Sequence, residues 1–261
     1  MKEYEELGHM EPVESQERKT TCYFLPHYPV FKETSTTKKT RVVFDGRSNG
    51  LSLNDILHMG PTVQQDLYSI ILRFRTHQVC FAADIVKMYH QIVVRPEDRD
   101  LQRILWRYSY EEPIQEYRLT TITYGTSSAP FLATHFLRKL ADDNQGQYPR
   151  GAQVLSTDFY VDDLLSGTST LEDAIKMQQE ISSLLQTAGL TLRKWACNNS
   201  TFLNTIPKEL QDKQRTFSLD NEDGVTTLGL LWNPKHDQLQ VKTSLPSCKP
   251  QTPQQVQNTR C

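Results

Sequence analysis

Residues 154–167 constrain the fold of this 261-residue chain most, because two apolar runs there flank the adjacent aspartates Asp162 and Asp163. Such a pattern, closed by a glycine, predicts a β-hairpin that carries both aspartates at or beside its tip. Aspartate is a poor strand residue and neighbouring carboxylates repel one another, so the pair indicates that a cation occupies the site. The alternative is a solvated turn, which is how we interpret Asp142 and Asp143 after a helical pattern.

A third carboxylate, Asp84, ends the continuous apolar run that starts at Val79. This pattern is typical of a buried strand that emerges at a site. If the strand pairs beside the hairpin, Asp84 and Asp162 can share two divalent cations about 3.5–4 Å apart. One cation would activate a hydroxyl, and the other would stabilise the leaving oxygen of a phosphoryl transfer. Carboxylate oxygens favour Mg²⁺, and Mn²⁺ can replace it.

These carboxylates belong to an ordered series of motifs that resembles the reverse transcriptases. Residues 160–163 match the Tyr-x-Asp-Asp signature of that family, and Asp84 followed by Tyr89 matches its first catalytic motif. The turn at Gly125, which leads into a capped helix, resembles the second motif. Residues 227–234 resemble the primer grip, the hairpin that seats the primer 3′ end.

The resemblance covers about residues 22–234, and residues 41–46, 192–195 and 228–234 look most like the BEL/Pao class of LTR retrotransposons. It implies template-directed DNA synthesis, in which a primer 3′-hydroxyl attacks the α-phosphate of a deoxynucleoside triphosphate. The template would be RNA or DNA. Other segments of a polyprotein, a thumb and an RNase H, would be partners. The resemblance further implies an intracellular, cytoplasmic location within a virus-like particle.

The resemblance also assigns roles to single residues. Asp84 and Asp162 would hold both Mg²⁺ ions, with Asp163 as a more peripheral ligand. Lys194 would protonate the departing pyrophosphate or neutralise its charge. Tyr89 would lie beneath the nucleotide sugar and exclude a 2′-hydroxyl. The other nucleotide-binding candidates are Lys38, Lys39, Arg41, Ile85, Tyr124 and Gly125, and the primer grip is assigned to Leu228, Gly229 and Leu230.

Structural alternatives stay open for several of these residues. Tyr89 could be a half-buried core residue, Arg41 an exposed arginine beside a turn, and Lys194 a surface lysine. For the whole chain, the alternative function is a non-catalytic, degenerate nucleic-acid-binding relic of such a polymerase. An RNA-dependent RNA polymerase has the same carboxylates, but it needs room for the 2′-hydroxyl, which Tyr89 disfavours.

The resemblance implies an α+β fold with the fingers and palm of a right-hand polymerase. The family continues into a helical thumb, and we expect this chain to lack it. The sequence of strand, helix, hairpin, helix and strand predicts a ferredoxin-like split βαβ palm, an antiparallel sheet with helices on one face. The expected divisions are a loosely ordered acidic start (1–21), fingers (22–75 and 95–126), palm (76–94 and 127–234) and a disordered tail (235–261).

Composition restricts the partners only weakly. The formal net charge of −2 disfavours a nucleic-acid binder, but a polymerase groove needs only local basic surface. Five scattered cysteines without zinc-ligand spacing indicate a reducing, intracellular protein. No apolar run is long enough to span a membrane, so we expect no membrane partner.

Overall fold

A computed structural model describes residues 1–14, 21–31, 40–47, 52–212, 217–220 and 226–241. Its helices are α1 (Lys2–Glu6), α2 (Leu53–Ile56), α3 (Leu67–Phe74), α4 (Met88–Gln91), α5 (Ala129–Asn144), α6 (Pro149–Thr157), α7 (Leu171–Thr187) and α8 (Ser200–Asn204). Its strands are β1 (Met10–Pro12), β2 (His27–Phe31), β3 (Thr40–Phe44), β4 (Val79–Ile85), β5 (Arg103–Trp106), β6 (Gln115–Leu119), β7 (Phe159–Tyr160), β8 (Asp163–Thr168), β9 (Leu192–Cys197), β10 (Phe217–Asp220), β11 (Thr226–Asn233) and β12 (Gln238–Val241). None of the described helices is both long and apolar enough to cross a lipid bilayer.

The central sheet is antiparallel and has the strand order β7-β8-β4-β9. Every residue of β4 is buried, as the continuous apolar run in its sequence predicts. On one side β4 pairs with β8, from Val79 opposite Thr168 to Asp84 opposite Asp163. On the other side it pairs with β9. The prediction that the Asp84 strand lies directly beside the hairpin is therefore confirmed.

The hairpin differs from the prediction in its first arm. Residues 154–157, interpreted as part of an apolar strand, form the last turn of α6, so only the two residues of β7 precede the hairpin turn. The buried residues Gly151, Val154 and Leu155 are spaced at i, i+3 and i+4. This spacing places them on one face of a helix, and that face packs against the core.

The helices α5, α6 and α7 cover one face of the central sheet. Phe81 and Ile85 of β4 point into the core that these helices form. Cys80 and Ala82 point the other way and pack with buried residues of α3 and β11, because successive strand side chains face opposite sides of a sheet. By the same alternation Asp84 belongs to this second face, away from the three helices.

The described residues of the predicted start and fingers form two smaller sheets, β1-β6-β5 and β2-β3. Their shared core consists of Met10, Leu25, Phe44, Leu53, Ile104, Tyr117 and Leu119. Residues 1–14, part of the expected loosely ordered start, instead form α1 and β1, and the buried Met10 pairs with Leu119. The apolar side chain of Met10 therefore fixes a segment whose acidic composition suggested disorder.

The third small sheet, β10-β11-β12, includes the residues predicted to form the primer grip. Trp232 of β11 is buried edge-on against Phe74 of α3, with 4.9 Å between the ring centroids. Its indole N–H donates a hydrogen bond to Asp237 Oδ1 at 3.0 Å. Residues 235–241, the start of the expected disordered tail, form a turn and β12. Trp232 therefore attaches this sheet to the second face of the central sheet.

Candidate active site

The predicted catalytic carboxylates meet where β4 ends. Asp84 and Asp163 are cross-strand partners, and only 6% and 7% of their surfaces are exposed. Directly opposed side chains of an antiparallel pair have Cβ atoms about 4.5–5.5 Å apart. Asp162 precedes Asp163 in a two-residue turn, and its carbonyl accepts a hydrogen bond from the Ile85 N–H at 2.9 Å. Strand register thus brings the three aspartates to one end of the sheet.

The turn that contains Asp162 has an unusual backbone. Val161, the first turn residue, has a φ of 56°, in the left-handed region that β-branched residues rarely adopt. Such a conformation costs about 1–3 kcal/mol and persists only where the surroundings enforce it. The Val161 N–H donates to Gln64 Oε1 at 2.9 Å. No local sequence pattern points to Gln64, which lies 97 positions from the turn.

Two consecutive basic residues of β9 bind Asp84. Arg193 Nε donates to Asp84 Oδ1 at 3.0 Å, and Lys194 Nζ donates to Oδ2 at 2.7 Å. Adjacent strand residues normally face opposite sides, but Lys194 has a φ of 52° and interrupts the alternation. Lys194, a predicted catalytic residue, therefore lies at the carboxylates. Sequence analysis missed Arg193, whose position opposite Asp84 depends on strand register.

The three aspartates fit a divalent cation in their chemistry and in their register. Carboxylate oxygens are the ligands that Mg²⁺ and Mn²⁺ prefer, and Asp84, Asp162 and Asp163 come from neighbouring strands and their turn. Within the described ranges, however, no three His, Cys, Asp or Glu side chains already form a metal-binding group. Arg193 and Lys194 each donate to one Asp84 oxygen, so their positive charges compete with a cation for this carboxylate.

Tyr89 and Tyr124, two predicted nucleotide-binding residues, pack against each other. Their ring centroids are 4.1 Å apart and their planes are tilted by 53°. Tyr89 lies in α4, the single turn that follows β4, and 7% of its surface is exposed. It also contributes to the main core, as its structural alternative predicts. The two tyrosines form one aromatic unit beside the Gly125 turn, and the role of Tyr89 in excluding a 2′-hydroxyl stays a prediction.

Ile85 does not have the position expected of a nucleotide-binding residue. Its side chain is 1% exposed and points into the helical core, because Ile85 and Asp84 face opposite sides of β4. Its N–H is hydrogen-bonded to the Asp162 carbonyl. The Ile85 side chain therefore cannot contact a nucleotide, and what Ile85 contributes is a backbone bond that holds the hairpin turn.

The Gly125 turn is held by Asn54, which sequence analysis did not single out. Asn54 Nδ2 donates to the Gly125 carbonyl at 2.9 Å, and the Ser127 N–H donates to Asn54 Oδ1 at 2.7 Å. Gly125 has a φ of 92°, and a Cβ there would lie 2.1 Å from the Phe44 carbonyl oxygen. Only glycine allows the end of β3 to approach this closely. The asparagine amide thus joins the turn to the predicted fingers.

The other predicted residues lie on strands or outside the described parts of the chain. Arg41 is half-buried in β3, opposite Val30, on the strand that reaches the Gly125 turn. Leu228, Gly229 and Leu230 lie in β11, as the predicted strand requires. Lys38 and Lys39 fall outside the described residues. The roles of these residues in nucleotide and primer binding stay predictions.

Two cysteines of the central sheet are chemically inert. Burial raises the pKa of the Cys80 thiol to about 11 and that of the Cys197 thiol to about 12. The thiolate is the form that attacks substrates and binds metals, and it is scarce at neutral pH when the pKa is this high. Both thiols also lie toward the start of β4, away from the end that carries Asp84, and neither is a candidate for the chemistry there.

Residues 26–230, more than half of the chain, match the sequence model of the family described as reverse transcriptase (RNA-dependent DNA polymerase). No curated protein sequence matches the chain. Among solved structures it is similar to a selenomethionine-labelled CSH mutant of the prototype foamy virus protease–reverse transcriptase. The identity is 18% and the TM-score 0.55, over 73% of this chain and 22% of that one.

Two further structures show the same similarity. The native prototype foamy virus protease–reverse transcriptase has 19% identity and a TM-score of 0.51, over 72% of this chain and 22% of that one. A foamy viral protease–reverse transcriptase dRH in complex with double-stranded DNA has 18% identity and a TM-score of 0.54, over 72% and 28%. The present chain thus spans less than a third of the length of these proteins. At this level of identity the similarity shows a common fold.

Proposed function

Because the chain belongs to the reverse transcriptase family, we propose that it forms the fingers and palm of an RNA-directed DNA polymerase. The observation that carries the proposal is the register of β4 and β8, which places Asp84 opposite Asp163 with Asp162 in the adjoining turn. Three buried or half-buried carboxylates in such proximity repel one another unless positive charge compensates them. Divalent cations supply that compensation in phosphoryl transfer.

In the proposed reaction, a primer 3′-hydroxyl attacks the α-phosphate of a deoxynucleoside triphosphate opposite an RNA or DNA template. Asp84, Asp162 and Asp163 would hold two divalent ions. Bound Mg²⁺, or Mn²⁺ in its place, would supply activation of the hydroxyl and neutralisation of phosphate charge. The aspartates position the reacting groups.

The basic residues of β9 have two successive roles in this proposal. In the state described here, Arg193 and Lys194 neutralise Asp84. With divalent cations bound at the aspartates, the two side chains would be available for the phosphates of the nucleotide. Lys194 Nζ can then give a proton to the departing pyrophosphate or neutralise its charge. The Tyr89 ring, supported by Tyr124, would fill the space that a 2′-hydroxyl needs.

We further propose that the chain comes from a BEL/Pao-type LTR retrotransposon. The support is the amino-acid sequence of residues 41–46, 192–195 and 228–234, which resembles that class. In that setting it would work in the cytoplasm, within a virus-like particle, together with thumb and RNase H segments of the same polyprotein. The alternative, a non-catalytic nucleic-acid-binding relic, would keep the fold without the chemistry.

A primer-extension assay tests the polymerase against the relic. The chain is given a homopolymer RNA template, a DNA primer, one deoxynucleotide and either Mg²⁺ or Mn²⁺. We expect extension by the native chain and a loss of about three orders of magnitude in Asp162→Asn, which keeps the shape but removes a charged ligand. The matched control is Asp142→Asn. Asp142, interpreted from the sequence as part of a solvated turn, instead lies within α5, because the helix runs on to Asn144; it is exposed there and paired with Arg138. Extension by Asp162→Asn at the rate of the control would refute the proposed chemistry.

A further inference from the structure

The N-terminal helix α1 lies against α4, the short turn that follows β4. Glu3 Oε1 is 3.1 Å from Lys87 Nζ, and the Tyr4 hydroxyl is 3.0 Å from His90 Nε2. The Tyr4 and His90 rings meet edge-on, with 5.3 Å between their centroids. Lys87 caps the start of α4 and His90 lies within it, so two side chains of α1 contact the helix that carries Tyr89.

Ring contacts continue from α4 to the neighbouring turn. The His90 ring centroid lies 5.8 Å from that of Tyr124, which in turn packs against Tyr89. Tyr4 also packs edge-on against Phe44 of β3, at 5.9 Å. Tyr4, Phe44, His90 and Tyr124 line one small cavity. A single side chain of α1 therefore contacts both the fingers strand β3 and the helix α4.

The segment that carries α1 has an anchor of its own. Thr120 Oγ1 donates to the Gly8 carbonyl at 2.6 Å, and the Thr120 N–H donates to the His9 carbonyl at 3.0 Å. Beyond them, Met10 is buried and pairs with Leu119 in the β1-β6-β5 sheet. None of these bonds involves α4. The position of α1 is thus set by the fingers, and α1 can serve as a support.

Met88 and Tyr89 hold the middle of α4 in the main core, whereas Lys87 and His90, at its start and near its end, depend on other contacts. The helix has only four residues, and isolated helices this short are unstable in water. It starts at Lys87, whose left-handed backbone, with a φ of 45°, costs about 1–3 kcal/mol. The Glu3 carboxylate holds the Lys87 side chain, and the Tyr4 hydroxyl holds His90 one turn later. These two bonds restrict α4 at its start and near its end.

We propose that Glu3 and Tyr4 are positioning residues of the nucleotide site, which fix α4 and thereby set the Tyr89 ring against Tyr124. The inference rests on the proposed function. Neither residue has a part in the chemical step, so their loss changes how well the nucleotide is seated. The effect therefore falls on the KM for the deoxynucleotide and on discrimination against ribonucleotides, while kcat stays nearly the same.

The test measures KM and kcat for single-nucleotide incorporation, with a deoxynucleotide and with the matching ribonucleotide. Tyr4→Phe keeps the ring and removes the hydroxyl, and we expect it to raise the deoxynucleotide KM about 3- to 10-fold with little change in kcat. Glu3→Gln should act in the same direction. The matched control is Glu6→Gln, because Glu6 is exposed on the same helix and pairs only with the exposed Lys2 among the ion pairs described for it.

A double-substitution cycle tests whether Tyr4 acts through His90. In a His90→Phe background the bond between the Tyr4 hydroxyl and His90 is already absent, so Tyr4→Phe should have no further effect on KM that acts through His90. An equal KM increase in both backgrounds, or an unchanged KM in the single variant, overturns the inference while the polymerase proposal stands. A native chain that extends no primer refutes the proposed function, and the inference fails with it. The unfolding temperature of each variant shows whether a change in KM reflects weaker nucleotide binding or a loss of folded protein.

Discussion

The palm and the fingers hold their parts of the site in different ways. In the palm, Asp84 faces Asp163 because of a register that runs from Val79 along the whole of β4, and no single side chain is responsible for it. In the turn beside the fingers, one amide, that of Asn54, holds the backbone of Gly125 and, two residues on, of Ser127. Substitution of a carboxylate in the palm should therefore leave the strand register unchanged and abolish most of the catalytic activity. A substitution in the turn should shift the geometry and leave the charges in place.

The largest effect expected within this comparison is that of Asp163→Asn in the palm. It should lower primer extension by at least about 100-fold, because the loss of a metal ligand removes several kcal/mol of transition-state stabilisation. The strand register, and so the fold, should persist. Asp143→Asn is the control, since Asp143 is exposed on α5 and paired with Lys139.

A second measurement checks Asp163 without relying on activity. A cation that binds only the folded chain raises its unfolding temperature by mass action. Mg²⁺ should therefore raise the unfolding temperature of the native chain and of Asp143→Asn more than that of Asp163→Asn. Equal shifts and equal extension rates in the two variants would remove Asp163 from the site.

Tyr89→Val tests a contact between the two regions. Tyr89 lies in α4, after the palm strand β4, and its ring packs against Tyr124 beside the Gly125 turn. The substitution removes a steric clash, so discrimination against ribonucleotides should fall by about 10-fold or more while deoxynucleotide use is mostly kept. Tyr68→Val is the control, because 71% of the Tyr68 surface is exposed on α3. Single-turnover incorporation of both nucleotide types gives the ratio. Unchanged discrimination would make Tyr89 a core residue only.

What could be predicted from the sequence follows the same division. The apolar run before Asp84 and the hairpin before Gly167 predict buried strands, and register then brings the carboxylates together. The first arm of the hairpin was mistaken for a strand, because its apolar residues fit a helical face equally well. Arg193 lies opposite Asp84 through strand register, and Lys194 reaches Asp84 through a left-handed backbone that no residue pattern predicts for a lysine.

In the fingers, the strands could be predicted from the sequence, but the long-range contacts between them could not. Asn54 acts on a turn 71 positions away, through a side-chain amide that any surface asparagine also has. The acidic composition of residues 1–14 predicts disorder. The pairing of Met10 with Leu119, which lies far along the chain, explains why this segment is ordered. Such long-range bonds have no local signature, because they depend on which segments the fold brings together.

Asn54→Asp tests the side-chain clamp of the turn. The carboxylate can still accept from Ser127 but cannot donate to the Gly125 carbonyl, so one hydrogen bond is lost. Incorporation efficiency should fall about 3- to 10-fold, which corresponds to about 1 kcal/mol, mainly through a higher deoxynucleotide KM. Asn144→Asp makes the same charge change where the amide bonds only its own helix, at the Leu140 carbonyl. Equal kinetics in the two variants would show that close packing at Gly125 holds the turn without the clamp.

The smallest expected effect is a change in the pH dependence of unfolding. It can be measured through one histidine in each region, His9 and His77. Burial lowers the pKa of His9 in the fingers; Lys87 lowers it further and Glu3 raises it. Burial also lowers the pKa of His77, which precedes β4 in the palm, while Asp158 raises it and Arg73 lowers it. Both histidines therefore stay neutral in the folded chain at a pH where the unfolded chain already binds protons.

This difference fixes the sign of the pH dependence. Below about pH 6.5 the unfolded state binds more protons than the folded state, so the free energy of unfolding is highest above that pH and falls as the pH decreases. His9→Gln and His77→Gln each remove one of the two contributions and should flatten the decline in unfolding temperature between about pH 7.5 and 5.5. If fingers and palm unfold as one unit, both substitutions act on the same transition. A flattening confined to one of two separate transitions would show that the clamp and the register stabilise independent units, and a decline that neither substitution changes would assign the pH dependence to other groups.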